Sequence, residues 1–198
     1  MLSAGDKAPS FELPSDSGKS IGPKSFPNQF VVVYFYPKDQ TPGCTREAQA
    51  FAATRAAWSK AGAIVLGISK DSVASHEKFR DKYALNFPLL SDADLKVHKA
   101  FGAYGEKTMY GKKVLGTIRS TFILDPGGKV ARAFPNVKVD GHADAVLAAL
   151  AELKGGKAPA PAAKVPAPKA AKKPAAKKAA TKPLAKKAAA KKAATKKR

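Results

Sequence analysis

The chain of 198 residues contains one cysteine, Cys44. That excludes an intrachain disulfide and the Cys-x-x-Cys pair of a disulfide oxidoreductase, and nothing else in the sequence points to an oxidising compartment. Long apolar runs are missing too: no stretch approaches the ~18 residues that a membrane-spanning helix needs. The residues from Met1 to Asp6 lack a basic region followed by an apolar run, so no secretory signal is expected and the chain reads as cytoplasmic. No Gly-rich loop with phosphate-binding spacing follows a strand, and no Gly-x-Ser-x-Gly elbow occurs. The histidines, His76, His98 and His142, stand far apart without metal-ligand spacing. His76 shares a helix face with Phe79 and Tyr83 and is expected to pack half-buried. Neither a metal nor another cofactor is expected.

Acidic residues are absent from the end of the chain. Residues 157–198 hold 14 Lys and 1 Arg and no Asp or Glu, a charge of +15, whereas residues 1–156 carry only +6 of the total of +21. The segment is nearly all Lys, Ala and Pro, with near-repeats starting at Lys173 and Lys182, and its only sizeable hydrophobes are Val165 and Leu184. Such a segment cannot bury a core and is predicted to be disordered. Gly155-Gly156 marks the boundary, giving a folded domain over 1–154 and a basic tail over 155–198. A tail of this charge attracts DNA or another polyanion without sequence preference, and its lack of aromatics argues against base stacking. The plainer alternative is a solubilising extension. An anionic membrane is the weaker partner, because the apolar face of an interfacial helix is missing.

The first 154 residues are enough for one domain with a real core. Val31 to Tyr36 is an apolar, β-branched and aromatic run ended by Pro37, which reads as a buried strand entering a loop. Thr41, Pro42 and Gly43 favour a turn, and Glu47 with the Ala-rich residues after it favours a helix. Cys44 is therefore expected at or just inside a helix N-terminus, where unpaired N–H groups and the positive dipole end stabilise a thiolate, the nucleophilic form of the side chain. The alternative is a buried, inert cysteine acting as a small hydrophobe. Glu47 itself reads as a dipole-favoured first-turn residue, with a role in orienting Arg119 as the less favoured alternative.

Along the rest of the domain, turn formers at 3–29 suggest a small hairpin around Ser15 to Gly18. Residues 45–60 read as one helix, 63–69 as a second buried strand, and 72–83 as a helix capped by Asp71 or Ser72. Phe87 to Leu90 is a short strand, 94–101 a helix, and the Gly-rich, basic stretch 102–116 a loop with at most an edge strand. Ile118 to Leu124 and Val130 to Phe134 form a hairpin about Asp125-Pro126-Gly127-Gly128, and Asp140 caps a last helix with Val146, Leu147 and Leu150 on one face. This order suits an α/β fold with a central mixed sheet flanked by helices, and a site at the carboxyl end of the 30–36 strand.

The spacing Pro-x-x-x-Thr-x-x-Cys, here Pro37, Thr41 and Cys44 in the form Thr-Pro-Gly-Cys-Thr, resembles the peroxidatic motif of the peroxiredoxins, in particular the peroxiredoxin Q or bacterioferritin comigratory subfamily. The resemblance covers about residues 2–153 and implies a thioredoxin-like fold. It implies that Cys44 attacks the terminal oxygen of a hydroperoxide, that Thr41 hydrogen-bonds the bound peroxide, and that Pro37 shields the thiolate from water. Arg119, at the start of a later strand, matches the family's active-site arginine; its guanidinium would stabilise the thiolate and polarise the O–O bond. The alternative for Arg119 is a surface residue at a strand end.

One departure from the family bears on mechanism. Many members carry a second, resolving cysteine five residues after the first, where this chain has Gln49, and others carry it on the following helix, where residues 72–83 have none. A Cys44 sulfenic acid would then be reduced by an external thiol such as thioredoxin, glutaredoxin or glutathione, or would pair with a second copy of the chain. The expected protein is thus a one-cysteine thiol peroxidase for hydrogen peroxide and organic hydroperoxides, a monomer or weak dimer, with its tail on DNA at the nucleoid. The competing reading is a DNA-binding nucleoid protein whose peroxiredoxin domain serves as a scaffold or holdase chaperone. The joint presence of Pro37, Thr41, Cys44 and Arg119 favours the enzyme.

Overall fold

The computed structural model describes residues 1–109 and 112–155, so the basic segment 156–198 and its predicted disorder lie outside the described residues. In chain order, β1 (Leu13–Pro14) and β2 (Ser20–Ile21) make the expected small hairpin, followed by β3 (Phe30–Phe35), α1 (Pro42–Ala53), α2 (Arg55–Lys60), β4 (Ala63–Ser69) and α3 (Val73–Tyr83). Then come β5 (Leu89–Ser91), α4 (Lys96–Phe101), a hairpin of β6 (Tyr104–Met109) and β7 (Lys112–Thr117), the strands β8 (Ser120–Leu124) and β9 (Val130–Phe134), and α5 (His142–Leu153).

Five strands form the central sheet in the order β5-β4-β3-β8-β9. β3 runs parallel to β4, and β4 to β5, while β8 and β9 are antiparallel additions, so the sheet is mixed. β3 is the middle strand: Val33 pairs with Leu66 on one side and Phe122 on the other. This explains why its sequence is a continuous apolar run, since alternate residues enter different cores on the two faces of the sheet. Val32, Tyr34 and Tyr36 pack with Phe51, Phe79, Val146 and Leu150, from α1, α3 and α5. Val31, Val33 and Phe35 pack on the opposite face with Phe101 of α4 and Phe122. Burying each of these side chains contributes about 1.5–3 kcal/mol, which fixes β3 and so the point where the Cys44 loop leaves it.

Gly67 in β4 is required by this packing. A Cβ there would lie 2.8 Å from the Tyr34 hydroxyl and 2.8 Å from Leu89 Cδ2, both inside contact distance. The space it leaves lets Tyr34 lie flat against Phe51, with ring centroids 4.8 Å apart.

Four expectations need correction. The helix predicted at 45–60 begins at Pro42 and is broken at Thr54. There the Thr54 hydroxyl donates to the carbonyls of Ala50 and Phe51, a local bond that competes with helix continuation. The 102–116 stretch is a hairpin rather than a loop, because Val114 and Thr117 find partners in Lys107 and Tyr104. Asp140 does not cap α5; Gly141 does, in the left-handed conformation (φ 75°), and Asp140 pairs instead with Arg46 at 3.2 Å. His76 is completely buried rather than half-buried.

Candidate active site

The site is assembled where β3 ends and α1 begins. Pro37 lies beyond the end of the strand, after Tyr36, and is half-buried. Pro42 occupies the first position of α1, where its missing N–H costs nothing and its fixed φ suits the helix. Thr41 is the N-cap residue, but its hydroxyl caps nothing; it donates backwards to the Lys38 carbonyl at 3.0 Å. The first backbone bond of the helix is Thr45 N–H to the Thr41 carbonyl at 2.8 Å, which leaves the Gly43 and Cys44 amides without intrahelical acceptors. Cys44 is the third residue of the helix, as its sequence setting predicts, with only 2% of its surface exposed. Its thiol therefore lies in the first turn of a 12-residue helix, at the positive end of the helix dipole.

Arg119 sits 75 residues further on, immediately before β8, and its Nη2 donates to Cys44 Sγ at 3.2 Å. Its carbonyl accepts from Val137 N–H at 2.9 Å, which pins the backbone, and its Nη1 pairs with Glu47 Oε2. The fork of the guanidinium thus reaches both the Cys44 sulfur and a carboxylate one turn along the same helix. The surface-residue alternative for Arg119 is excluded by this geometry. The Glu47 expectation also reverses: the residue is 1% exposed and grips Arg119, where a dipole-favoured surface residue would face water. A three-residue spacing from Cys44 places Glu47 on the cysteine's side of the helix, and this was the signal available in the sequence.

The charge balance of the pair is set by burial. Loss of solvent pushes the Glu47 carboxyl up to about 7 against the opposing attraction of Arg119. Its second oxygen, Oε1, is buried without a hydrogen-bond partner, which adds to the cost of ionising it. Arg119 stays cationic throughout. Two further groups feel its charge. Burial, then Arg119, lowers the Lys107 ammonium, which donates to the Thr117 carbonyl at 2.8 Å. Burial, then Arg119, also pushes His142 down to about 4, leaving a neutral imidazole whose Nε2 lies 2.8 Å from Thr121 Oγ1. Neither residue had a signal in the sequence, because their proximity arises from the β6/β7 hairpin and from α5.

Residues 4–133 match the AhpC/TSA family. The chain is 46% identical over 149 residues to a Coxiella burnetii protein named as a putative peroxiredoxin Bcp, spanning 75% of this chain and 99% of that one. It is 50% identical over 145 residues to the Xanthomonas campestris peroxiredoxin Bcp, spanning 72% and 91%. The chain belongs to the AhpC/TSA family, in its peroxiredoxin Q/Bcp branch. A solved structure of the X. campestris bacterioferritin comigratory protein, described for its alkyl peroxide reduction activity, matches with a TM-score of 0.71 at 46% identity, covering 75% of this chain and 98% of that one. This peroxiredoxin accordingly has the thioredoxin-like fold, and it is a thiol-dependent peroxidase with a single cysteine.

Proposed function

We propose that the protein reduces hydrogen peroxide and organic hydroperoxides at Cys44 and is returned to its thiol by an external thiol. The observation that carries this reading is the bond from Arg119 Nη2 to Cys44 Sγ at a helix N-terminus. In the first half-reaction the thiolate donates an electron pair to the distal peroxide oxygen. An S–O bond forms as the O–O bond breaks, two electrons pass from sulfur to oxygen, and the departing alkoxide or hydroxide takes one proton from water. Arg119 and the free amides of Gly43 and Cys44 offer donors where negative charge moves from sulfur to oxygen, which lowers the barrier more than it stabilises the reactants. The Thr41 hydroxyl orients the peroxide, and Pro37 keeps water from the sulfur.

In the second half-reaction a thiol attacks the sulfenic acid, forming a mixed disulfide and releasing water; a second thiol then frees Cys44. With one cysteine per chain, both thiols must come from outside it. Intact mass after one equivalent of peroxide tests this. A gain of one oxygen, or a disulfide-linked pair of chains, is expected, followed by return to the starting mass on adding thiol. An unchanged mass contradicts it.

The tail adds location to chemistry. The charge of +15 is concentrated in residues 157–198, so the attraction for a polyanion comes from a segment that contains none of the candidate site residues. With about half of those cations on phosphates, log K should fall with log salt at a slope of roughly −6 to −7. Anisotropy on two unrelated duplexes, with the full chain and with a truncation after Gly156, tests this. Equal affinity of the two proteins contradicts it.

A further inference from the structure

The carboxyl end of the sheet carries more positive charge than the chemistry at Cys44 uses. Phe35 of β3 pairs with Ile68 of β4 on one side and with Ser120 of β8 on the other, so Lys70 and Arg119 flank the start of the Cys44 loop. Lys38 stands in the loop itself, and both it and Lys70 are exposed. Lys107 comes from the β6/β7 hairpin. It is half-buried, and its Nζ donates to the carbonyl of Thr117, two residues before Arg119, at 2.8 Å. After burial and Arg119, the charges that act on this ammonium are those of Cys44, which favours it, and Lys70, which opposes it.

The acids nearby do not balance these cations. Glu47 is buried against Arg119, and Asp39 accepts from His76 and Ser75 inside the fold. Asp71 accepts from the Asp39 N–H and from Ser69 Oγ. Glu106, next to Lys107, is exposed and reaches Lys113 at 3.8 Å. Among the described residues, none of Lys38, Lys70 and Lys107 lies within ion-pair distance of a carboxylate. An ammonium has three donors, and the Thr117 carbonyl takes only one from Lys107. Half-burying such a group without a carboxylate costs stability, and its remaining donors are open to an anion from outside the chain.

Hydrogen peroxide is uncharged and gains nothing from these lysines. A thiol attacks as its thiolate, and a carboxylate on the same small molecule brings a second negative charge within a few bonds of the sulfur. We propose that Lys107, with Lys38 and Lys70 at the Cys44 loop, recognises the carboxylate of the external thiol, so that the reductant is a small thiol that carries a carboxylate. The attacking thiolate supplies the electron pair of a new S–S bond as the S–O bond of the Cys44 sulfenic acid breaks, and hydroxide leaves as water with the proton that the thiol gave up. A second molecule of the thiol frees Cys44 by the same kind of attack on the mixed disulfide. The proposal rests on the external-thiol cycle above.

Two pairs of probes read the charge around the sulfur in the full chain. Iodoacetate and iodoacetamide alkylate reduced Cys44, need no peroxide, and differ by a carboxylate against an amide. Mercaptopropionate and mercaptoethanol, compared per thiolate, reduce the sulfenic acid formed by one equivalent of hydrogen peroxide. An ion pair near the surface corresponds to as much as about fivefold in an equilibrium. Lys107→Gln should therefore lower the ratio of anionic to neutral rates by about threefold to fivefold in both pairs, and Lys107→Arg should keep it. Lys60→Gln, in the last residue of α2 and ahead of the opposite end of β4, should leave it unchanged. A ratio that does not fall in Lys107→Gln, or that falls equally in Lys107→Arg or Lys60→Gln, overturns the proposal. Should Lys107→Gln not fold, the double variant Lys38→Gln, Lys70→Gln, at two exposed positions, decides by the same ratios. A fall with the alkylating pair alone also overturns it, because the anion site then does not serve the reductant. If peroxide yields no sulfenic acid, the proposed function fails, while the alkylating pair still decides whether these lysines recognise a carboxylate.

Discussion

Arg119→Ala separates the chemical role of the guanidinium from its structural one. The substitution removes the donor 3.2 Å from Cys44 Sγ and leaves Glu47 buried without its cation. Loss of a preorganised donor at a reacting centre costs about 10²–10³ in rate. Stripping one partner from a buried ion pair ordinarily destabilises by about 3–5 kcal/mol. Here the penalty should be far smaller near neutrality, because the Glu47 carboxyl, already at about 7 beside the arginine, escapes it by keeping its proton. The penalty relative to wild type should therefore be well under 1 kcal/mol at pH 7 and should grow by roughly 1.4 kcal/mol for each pH unit above it. The assay is stopped-flow oxidation of Cys44 alongside urea unfolding at pH 7 and pH 8.5. Adding Glu47→Gln should restore stability at pH 8.5 without restoring the rate. If Arg119→Ala reacts with peroxide like wild type, or if the double variant recovers rate together with stability, the assignment of Arg119 to the chemistry is refuted.

Thr41→Val should slow the peroxide reaction by at least tenfold with little change in the unfolding midpoint, since its one side-chain hydrogen bond among the described residues is to the Lys38 carbonyl, at an exposed position. Equal proportional losses would make Thr41 structural. Two buried groups should give opposing pH dependences of stability. Glu47 is raised from 4.5 to about 7, so its contribution is present at low pH and lost as pH rises between those values. His142 is lowered from 6.5 to about 4, so its contribution is present above 6.5 and lost as pH falls. Wild-type stability should be nearly flat from pH 4.5 to 6.5, whereas Glu47→Gln should gain stability with rising pH by up to about 1.4 kcal/mol per unit. Urea titrations at four pH values check this, and parallel profiles for the two proteins refute it.

The setting of Cys44 was legible because it rests on local signals. The run from Val31 to Tyr36 reads as a buried strand and Glu47 with the Ala-rich residues after it as a helix, although Pro42 and Gly43, read as turn formers, are the first two residues of that helix. Arg119 was within reach only through a family motif, since nothing in residues 44 to 119 fixes how β8 lies beside β3. Glu47 was misread because dipole preference and inward orientation predict the same residue type at the same place; only burial distinguishes them. Complete burial of His76 was not legible either, because it depends on α3 docking against the sheet, where His76 meets the Asp39 carboxylate 37 residues earlier. The β6/β7 hairpin was obscured by its glycines and lysines, which read as loop residues although the strands pair over six positions.

Peroxide consumption by the full chain and by Cys44→Ser, each with excess thiol, is the most direct test of the account. The wild type should turn over repeatedly and stop when the thiol is exhausted, and Cys44→Ser should consume peroxide no faster than the thiol alone. Consumption by Cys44→Ser at the wild-type rate would contradict the central claim that this sulfur carries the reaction.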